Sequence, residues 1–127
     1  RQYQKVNSHA QICEASPHRL VQMLMEGGLD RMAQAKGALA RGDIAQKGLM
    51  LGKAIDIVIG LRDGLDAQKS DNPAYVQQLE SLYAYMTNRL MEANLHNDAD
   101  MIDEVARLLI TVKEGWDAIA APQAVTE

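Results

Sequence analysis

Four stretches of the chain repeat apolar residues at alternating steps of three and four, the spacing that keeps side chains on one face of a helix. The first runs through Val21, Met25, Gly28, Met32, Ala35 and Leu39, and the second through Leu51, Ala54, Val58, Leu61 and Leu65. The third is Val76, Leu79, Tyr83, Met86, Leu90 and Ala93, and the fourth is Ile102, Val105, Leu109, Val112, Trp116 and Ile119. No stretch sustains the alternation of a strand, so the pattern predicts an all-α protein.

Local chemistry marks where each helix begins and ends. Ser16-Pro17 offers a capping oxygen and then proline at the first helical position, where its missing N–H costs nothing. Gly42-Asp43 stops one helix and caps the next, and Asn72-Pro73 repeats the cap-then-proline device. Asp98, in the polar turn His96-Asn97-Asp98, caps the fourth helix, and Pro122 lies just past the last periodic residue. Helices are therefore expected at 17–40, 44–66, 74–95 and 99–120. The connections between them are short, and short loops force successive helices to lie antiparallel. The expected fold is an up-down-up-down four-helix bundle over residues 16–121. A short N-terminal capping segment, residues 1–15, precedes it, and a loose tail, 122–127, follows.

The second helix carries more apolar surface than one seam needs. Besides its seam it holds Ile44, Ile55, Ile57 and Ile59, so apolar residues occur nearly all round between Ala54 and Leu61. One side of a bundle helix faces outward, so something must cover that side: the N-terminal segment, a second copy, or another protein. Glycines within the helical patterns have two readings, close approach of helices or room for a partner helix, and both stay open for Gly48, Gly52 and Gly60. Tyr83 and Tyr85 lie on different helix faces, with Tyr83 on the seam and Tyr85 turned outward as a contact residue. Asn94 sits beside the seam, where it can hold the turn at Leu95–Asp98.

Composition and candidate chemistry narrow the function. The net charge is −4 and the basic residues are scattered, which disfavours nucleic acid. No apolar run approaches the ~20 residues of a membrane span, and the start, Arg1-Gln2-Tyr3-Gln4-Lys5, leads into no signal-peptide core. The single cysteine, Cys13, cannot form an internal disulfide, which points to a reducing compartment and the cytoplasm. His9 with Cys13, and Glu92 with His96, stand four apart, but two ligands are too few for a structural zinc site. Asp98-Ala99-Asp100 opens like a calcium loop yet lacks the later glycine and glutamate. The acids at 98, 100, 103 and 104 fit the positive end of the fourth helix instead. No catalytic constellation surrounds Cys13, and no glycine run forms a phosphate loop. An enzyme or cofactor-binding bundle would have to rest on His9 with Cys13 or on Glu92 with His96, and the expectation is that the chain holds no metal or cofactor.

A family resemblance rests on an ordered set of motifs. These are Ser16-Pro17-His18-Arg19-Leu20-Val21 with Met23-Leu24, then Lys53-Ala54-Ile55 with Ile57 and Leu61. Next come Leu79, Leu82-Tyr83, Tyr85-Met86 and Leu90, then Ala93-Asn94 with Asn97-Asp98, Glu104-Val105 and the late Trp116, with Tyr3 near the start. Over about residues 3–118 the set resembles the flagellin-specific export chaperones, the FliS family. The resemblance implies an antiparallel four-helix bundle in the cytoplasm that is not an enzyme and that binds the disordered C-terminal region of flagellin. It implies that this binding prevents premature polymerisation and aids delivery to the export apparatus, with a component of the export gate as a further partner. It also implies that the N-terminal segment covers part of the binding surface. Ile55, Ile59, Leu82 and Tyr85 are the candidate client-groove residues, with Tyr3 and Val6 as a displaceable cover. The expected state is a monomer or weak homodimer; the alternative reading is a self-associating helical adaptor.

Overall fold

In the computed structural model, which describes residues 16–66 and 71–119, every helix starts on a side-chain oxygen. Helix α1, Pro17–Ala40, is capped by Ser16, whose hydroxyl accepts from the Arg19 amide at 3.1 Å. Helix α2, Ile44–Asp63, is capped by Asp43 accepting from Gln46 at 3.1 Å. Asn72 does the same for α3, Pro73–His96, accepting from Tyr75 at 3.2 Å. Asp98 caps α4, Ala99–Ala118, by accepting from Asp100 and Met101 at 2.9 and 3.2 Å. These are the four caps that the sequence predicts. Between α1 and α2, Gly42 takes φ 76°, a left-handed conformation that glycine adopts without steric cost. Asn97 turns the chain out of α3 at φ 53°, and the Asp98 amide closes the turn on the Ala93 carbonyl at 3.0 Å.

Two helix ends fall short of expectation. α2 stops at Asp63 instead of 66, because Gly60 and Gly64 weaken its last turn. There the Leu65 amide turns back to the Arg62 carbonyl at 3.1 Å. α4 stops at Ala118, where the Ile119 amide closes on Trp116 at 3.2 Å. α3 gains Pro73 and His96 at its ends. Residues 1–15, with Tyr3, Val6, His9 and Cys13, and the tail 122–127 lie outside the described residues.

The helices form a ring in which α1 packs on α2 and α4, and α3 packs on the same two. Met25, Met32, Leu51, Val58, Met86, Leu90, Ile102, Val105 and Leu109 fill its centre with almost no exposure. Burying each such side chain is worth ~1.5–3 kcal/mol before entropy is counted. Part of the apolar excess on α2 is absorbed here. Ile57 lies against α1 at its glycine pair, where a Cβ on Gly28 would stand 3.4 Å from both Ile57 and Leu109. Close helix approach therefore occurs at Gly28, whereas a Cβ at Gly52 or Gly60 would meet nothing within 4 Å.

Lys47 is the one buried cation among the described residues. It occupies the α2 seam four residues before Leu51, and its Nζ donates to the carbonyl of Asn94 at 2.9 Å and to its Oδ1 at 2.6 Å. This corrects the expectation for Asn94: it is tied to α2, not to the Leu95–Asp98 turn. The side chain lies one position past the seam on the flank toward α2, where a buried charged donor outcompetes weaker amide partners. Among the described residues no helix is long and apolar enough to cross a membrane.

Candidate functional site

The seams that seal the bundle run out at one end. Where α1 and α3 begin and α2 and α4 finish, the helices enclose a cavity of about 510 Å³. Its walls are Leu20, Val21, Leu24 and Met25 from α1, Gly60, Leu61, Gly64 and Leu65 at the end of α2, Tyr75, Leu79 and Tyr83 from α3, and Val112, Gly115, Trp116 and Ile119 at the end of α4. Glycine leaves much of this space: a Cβ at Gly60 or Gly115 would meet nothing within 4 Å. Leu20, Tyr75 and Ile119 stand as exposed lips. The size and apolar lining are those of a ligand pocket rather than a packing defect. Tyr83 is buried, and burial, reinforced by nearby Tyr75, pushes its phenol up to about 12, so it stays neutral at physiological pH.

Trp116 forms one wall and is held by α1. Its indole N–H donates to the His18 carbonyl at 3.0 Å, and its ring stacks on the His18 imidazole with centroids 4.5 Å apart and planes 7° from parallel. The His18 Nε2 is buried without a hydrogen-bond partner. Below this pair, polar side chains knit α1 to α4. Gln22 donates to Asp117 at 2.7 Å and Lys113 pairs with Glu26 at 3.8 Å across the two helices, while Lys113 also donates to Asp117 at 2.7 Å within α4 and Arg19 pairs with Glu26 at 3.4 Å within α1. The Lys113 and Gln22 hydrogen bonds hold the Asp117 carboxyl below its ordinary value, and Asp117 in turn raises Lys113. A shallower depression of about 360 Å³ lies along this corner between Glu26, Asp30, Ile110 and Glu114.

The four candidate groove residues fall on two flanks. Ile55 and Ile59 follow Gly48 by close to two and three helical turns, so they share its row. Gly48 faces Asn94 of α3, whose Oδ1 would lie 3.8 Å from an added Cβ. Ile55 is half-buried against the core, and Ile59 is exposed on this α2–α3 flank. Ile44, one turn before Gly48, and Met91 and Leu95, close to Asn94, extend the exposed apolar surface toward the other end of the bundle. Leu82 and Tyr85 face α4 instead. The Tyr85 hydroxyl donates to Glu104 at 2.5 Å, and Arg89, in the same row as Leu82, reaches Glu104 at 2.7 Å. Leu82 is half-buried against the core, while Tyr85 is 42% exposed against 2% for Tyr83, the in-and-out division that their spacing predicts. The Tyr85 phenol is raised because its proton bonds Glu104, and Glu104 is held low by the hydrogen bonds from Tyr85 and Arg89. Glu92 pairs with Arg89 at 3.0 Å, and no cluster of metal-binding side chains occurs among the described residues.

The end cavity is what periodicity misses. Val21, Leu65, Val76, Leu79, Val112, Trp116 and Ile119 read as seam, yet each is half-buried or exposed. A signal was present: three glycines at the ends of α2 and α4 share one end of the bundle with Tyr75 and Trp116.

Comparison with known proteins bears on this arrangement. The family model described as flagellar protein FliS matches residues 1–123. The flagellar secretion chaperone FliSB of Pseudomonas aeruginosa is 51% identical, over 94% of this chain and 94% of that protein. The flagellar secretion chaperones FliS of Vibrio cholerae and Salmonella typhimurium are 42% and 41% identical, covering 92% and 93% of this chain and 85% and 87% of those proteins. With a bundle of the expected topology, an apolar mouth at one end and matches across nearly its whole length, the chain belongs to the FliS family, a family of flagellar secretion chaperones and not of enzymes.

Proposed function

We propose that this protein binds the disordered C-terminal segment of flagellin in the cytoplasm, keeping the subunit from polymerising early and aiding its delivery to the export apparatus. The observation that carries the reading is the apolar cavity at the open end of the bundle, walled by Trp116 and floored by Tyr83. A segment that folds as it binds loses conformational entropy and needs a long apolar surface to offset it. The cavity takes one anchor of such a segment, and Ile55 with Ile59 takes an amphipathic helix along the α2–α3 flank. Leu82 and Tyr85 carry the segment round to the α3–α4 flank. Tyr3 and Val6 belong to the fifteen residues that join α1 beside the cavity, and they serve as a cover that the client displaces. The loaded chaperone then meets a component of the export gate.

Calorimetric titration with the C-terminal segment of flagellin tests the reading, followed in parallel by circular dichroism. Heat of binding and a gain in helix are expected; neither appearing at high micromolar concentration overturns it. A second reading, self-association to a weak homodimer, is favoured by Ile44, Leu49, Met91 and Leu95, all at least half exposed. Sedimentation over a wide concentration range separates the two, since a strict monomer leaves that surface to a client.

A further inference from the structure

We propose that the Tyr83 hydroxyl, at the floor of the end cavity, donates a hydrogen bond to a neutral oxygen of the segment that enters there, and so selects an anchor that is apolar along its length and polar at its tip. The inference rests on the client-binding reading above and names what the cavity recognises. Tyr83 is 2% exposed and is one of the cavity's walls. Burial and the charge of nearby Tyr75 act on its phenol, and no hydrogen bond among the described residues does. The oxygen is nonetheless not sealed. Among the described residues, His18 Nε2 is the one side-chain polar atom both enclosed and unpaired. The Tyr83 oxygen, unpaired as well, therefore keeps accessible surface, and the space its side chain borders is the cavity. A buried tyrosine hydroxyl ordinarily has a partner, and a phenyl ring would floor an apolar cavity equally well.

Nothing else deep in the cavity plays this part. Of the other walls, only Trp116 and Tyr75 carry a side-chain N–H or O–H. The Trp116 indole is committed to the His18 carbonyl at 3.0 Å, and Tyr75 stands on the lip, 52% exposed. The remaining walls are glycine, aliphatic and methionine residues. In the free protein, water entering the mouth serves the hydroxyl. A wholly apolar anchor displaces that water and leaves the oxygen unpaired, which costs binding energy. A carboxylate or ammonium group fares worse, because no wall residue carries a charge to offset its lost hydration. The matching group is a neutral acceptor: a hydroxyl, a carboxamide, or a main-chain carbonyl where the segment leaves its helix.

The test uses the full chain and the flagellin C-terminal segment, in calorimetric titration near neutral pH, where the phenol keeps its proton. Tyr83→Phe keeps the ring and removes the oxygen. It should be as stable as the native chain there, yet bind about three- to tenfold more weakly, the worth of one neutral hydrogen bond. A Phe variant that binds as tightly as the native chain, or more tightly, overturns the proposal, since a wholly apolar anchor gains when the hydroxyl goes. Replacing each Ser, Thr, Asn and Gln of the segment by Ala, one at a time, identifies the oxygen. A replacement that weakens binding to the native chain and not to Tyr83→Phe marks a side chain as its source. A weaker Phe variant with no such replacement marks a main-chain carbonyl. Should Tyr83→Phe fail to fold, the Cζ signal of carbon-13-labelled tyrosine decides. The chain has four tyrosines, so Tyr3→Phe, Tyr75→Phe and Tyr85→Phe identify the Tyr83 signal by elimination. It should shift on saturation with the segment, and a signal that stays in place overturns the proposal. A native chain that does not bind the segment overturns the client reading and this inference together. Native binding with an indifferent Tyr83 overturns this inference only.

Discussion

The two ends of the bundle are built from the same heptad-like pattern and come out differently. At the end where α1 and α3 finish, Ala35, Ala38, Leu51, Leu90, Ala93 and Ile102 have no exposed surface, and Lys47 ties α2 to the last turn of α3. At the other end seam residues such as Val21, Leu79, Val112, Trp116 and Ile119 are half-buried or exposed around about 510 Å³ of space. The difference lies in side-chain size. Alanines on α1 and α3 let helices close on one another, and a jigsaw of large and small side chains fills what is left. At the open end Trp116, Tyr75 and Leu79 line the gap without filling it, and glycines at 60, 64 and 115 supply no side chain to do so. Periodicity sets which face turns inward; volume decides whether that face is sealed.

The sharpest way to break this contrast is to make one substitution at both ends. Leu90→Ala, in the sealed half, should cost about 3 kcal/mol, whereas Leu79→Ala, already beside open space, should cost about 1 kcal/mol or less. Denaturant titration compares them, and equal losses would erase the distinction. Next in size is the response of the cavity floor to alkali. The Tyr83 phenol is pushed from 10.0 to about 12 on folding. Its contribution is therefore complete below pH 10 and disappears as pH rises through the folded value, an effect of about 2–3 kcal/mol. Tyr83→Phe should flatten that part of the stability profile. Lys47→Met keeps the volume of the sealed end but leaves two oxygens of Asn94 without their donor. A loss of about 2 kcal/mol is expected, with binding of the flagellin segment unchanged by calorimetry.

Gly60→Leu inverts the pattern. Filling the mouth should weaken binding of the segment about tenfold, ~1.4 kcal/mol, while removing a helical glycine leaves stability equal or slightly higher. The smallest effect belongs to the exposed α3–α4 flank. Glu104 is held low in the folded chain, so its contribution exists above the ordinary carboxylate range and is lost as pH falls through the folded value. Glu104→Gln should reduce the acid-side slope and return the Tyr85 phenol toward its ordinary value in an absorbance titration.

What the sequence made legible was decided within a few residues. The caps at Ser16, Asp43, Asn72 and Asp98 depend on one oxygen and the amides that follow it, and the opposition of Tyr83 and Tyr85 depends only on helical phase. What it hid depends on how helices sit against one another. The shelter given to Ile57 by Gly27 and Gly28 needs the facing of α1 and α2, and the split of Ile55 and Ile59 from Leu82 and Tyr85 needs the neighbours of α2 and α3. Lys47 escaped notice because a charged residue on a seam reads as the end of that seam, until a carbonyl and an amide oxygen on the next helix prove to be its partners.

An even number of antiparallel helices brings the first turn of α1 and the last turn of α4 to the same rim. A purification tag or fluorescent fusion joined ahead of α1 or behind α4 is thus anchored on the side of the mouth. The α1–α2 turn at Gly42, exposed at the far end, is the attachment point for a reporter meant to leave the mouth unobstructed.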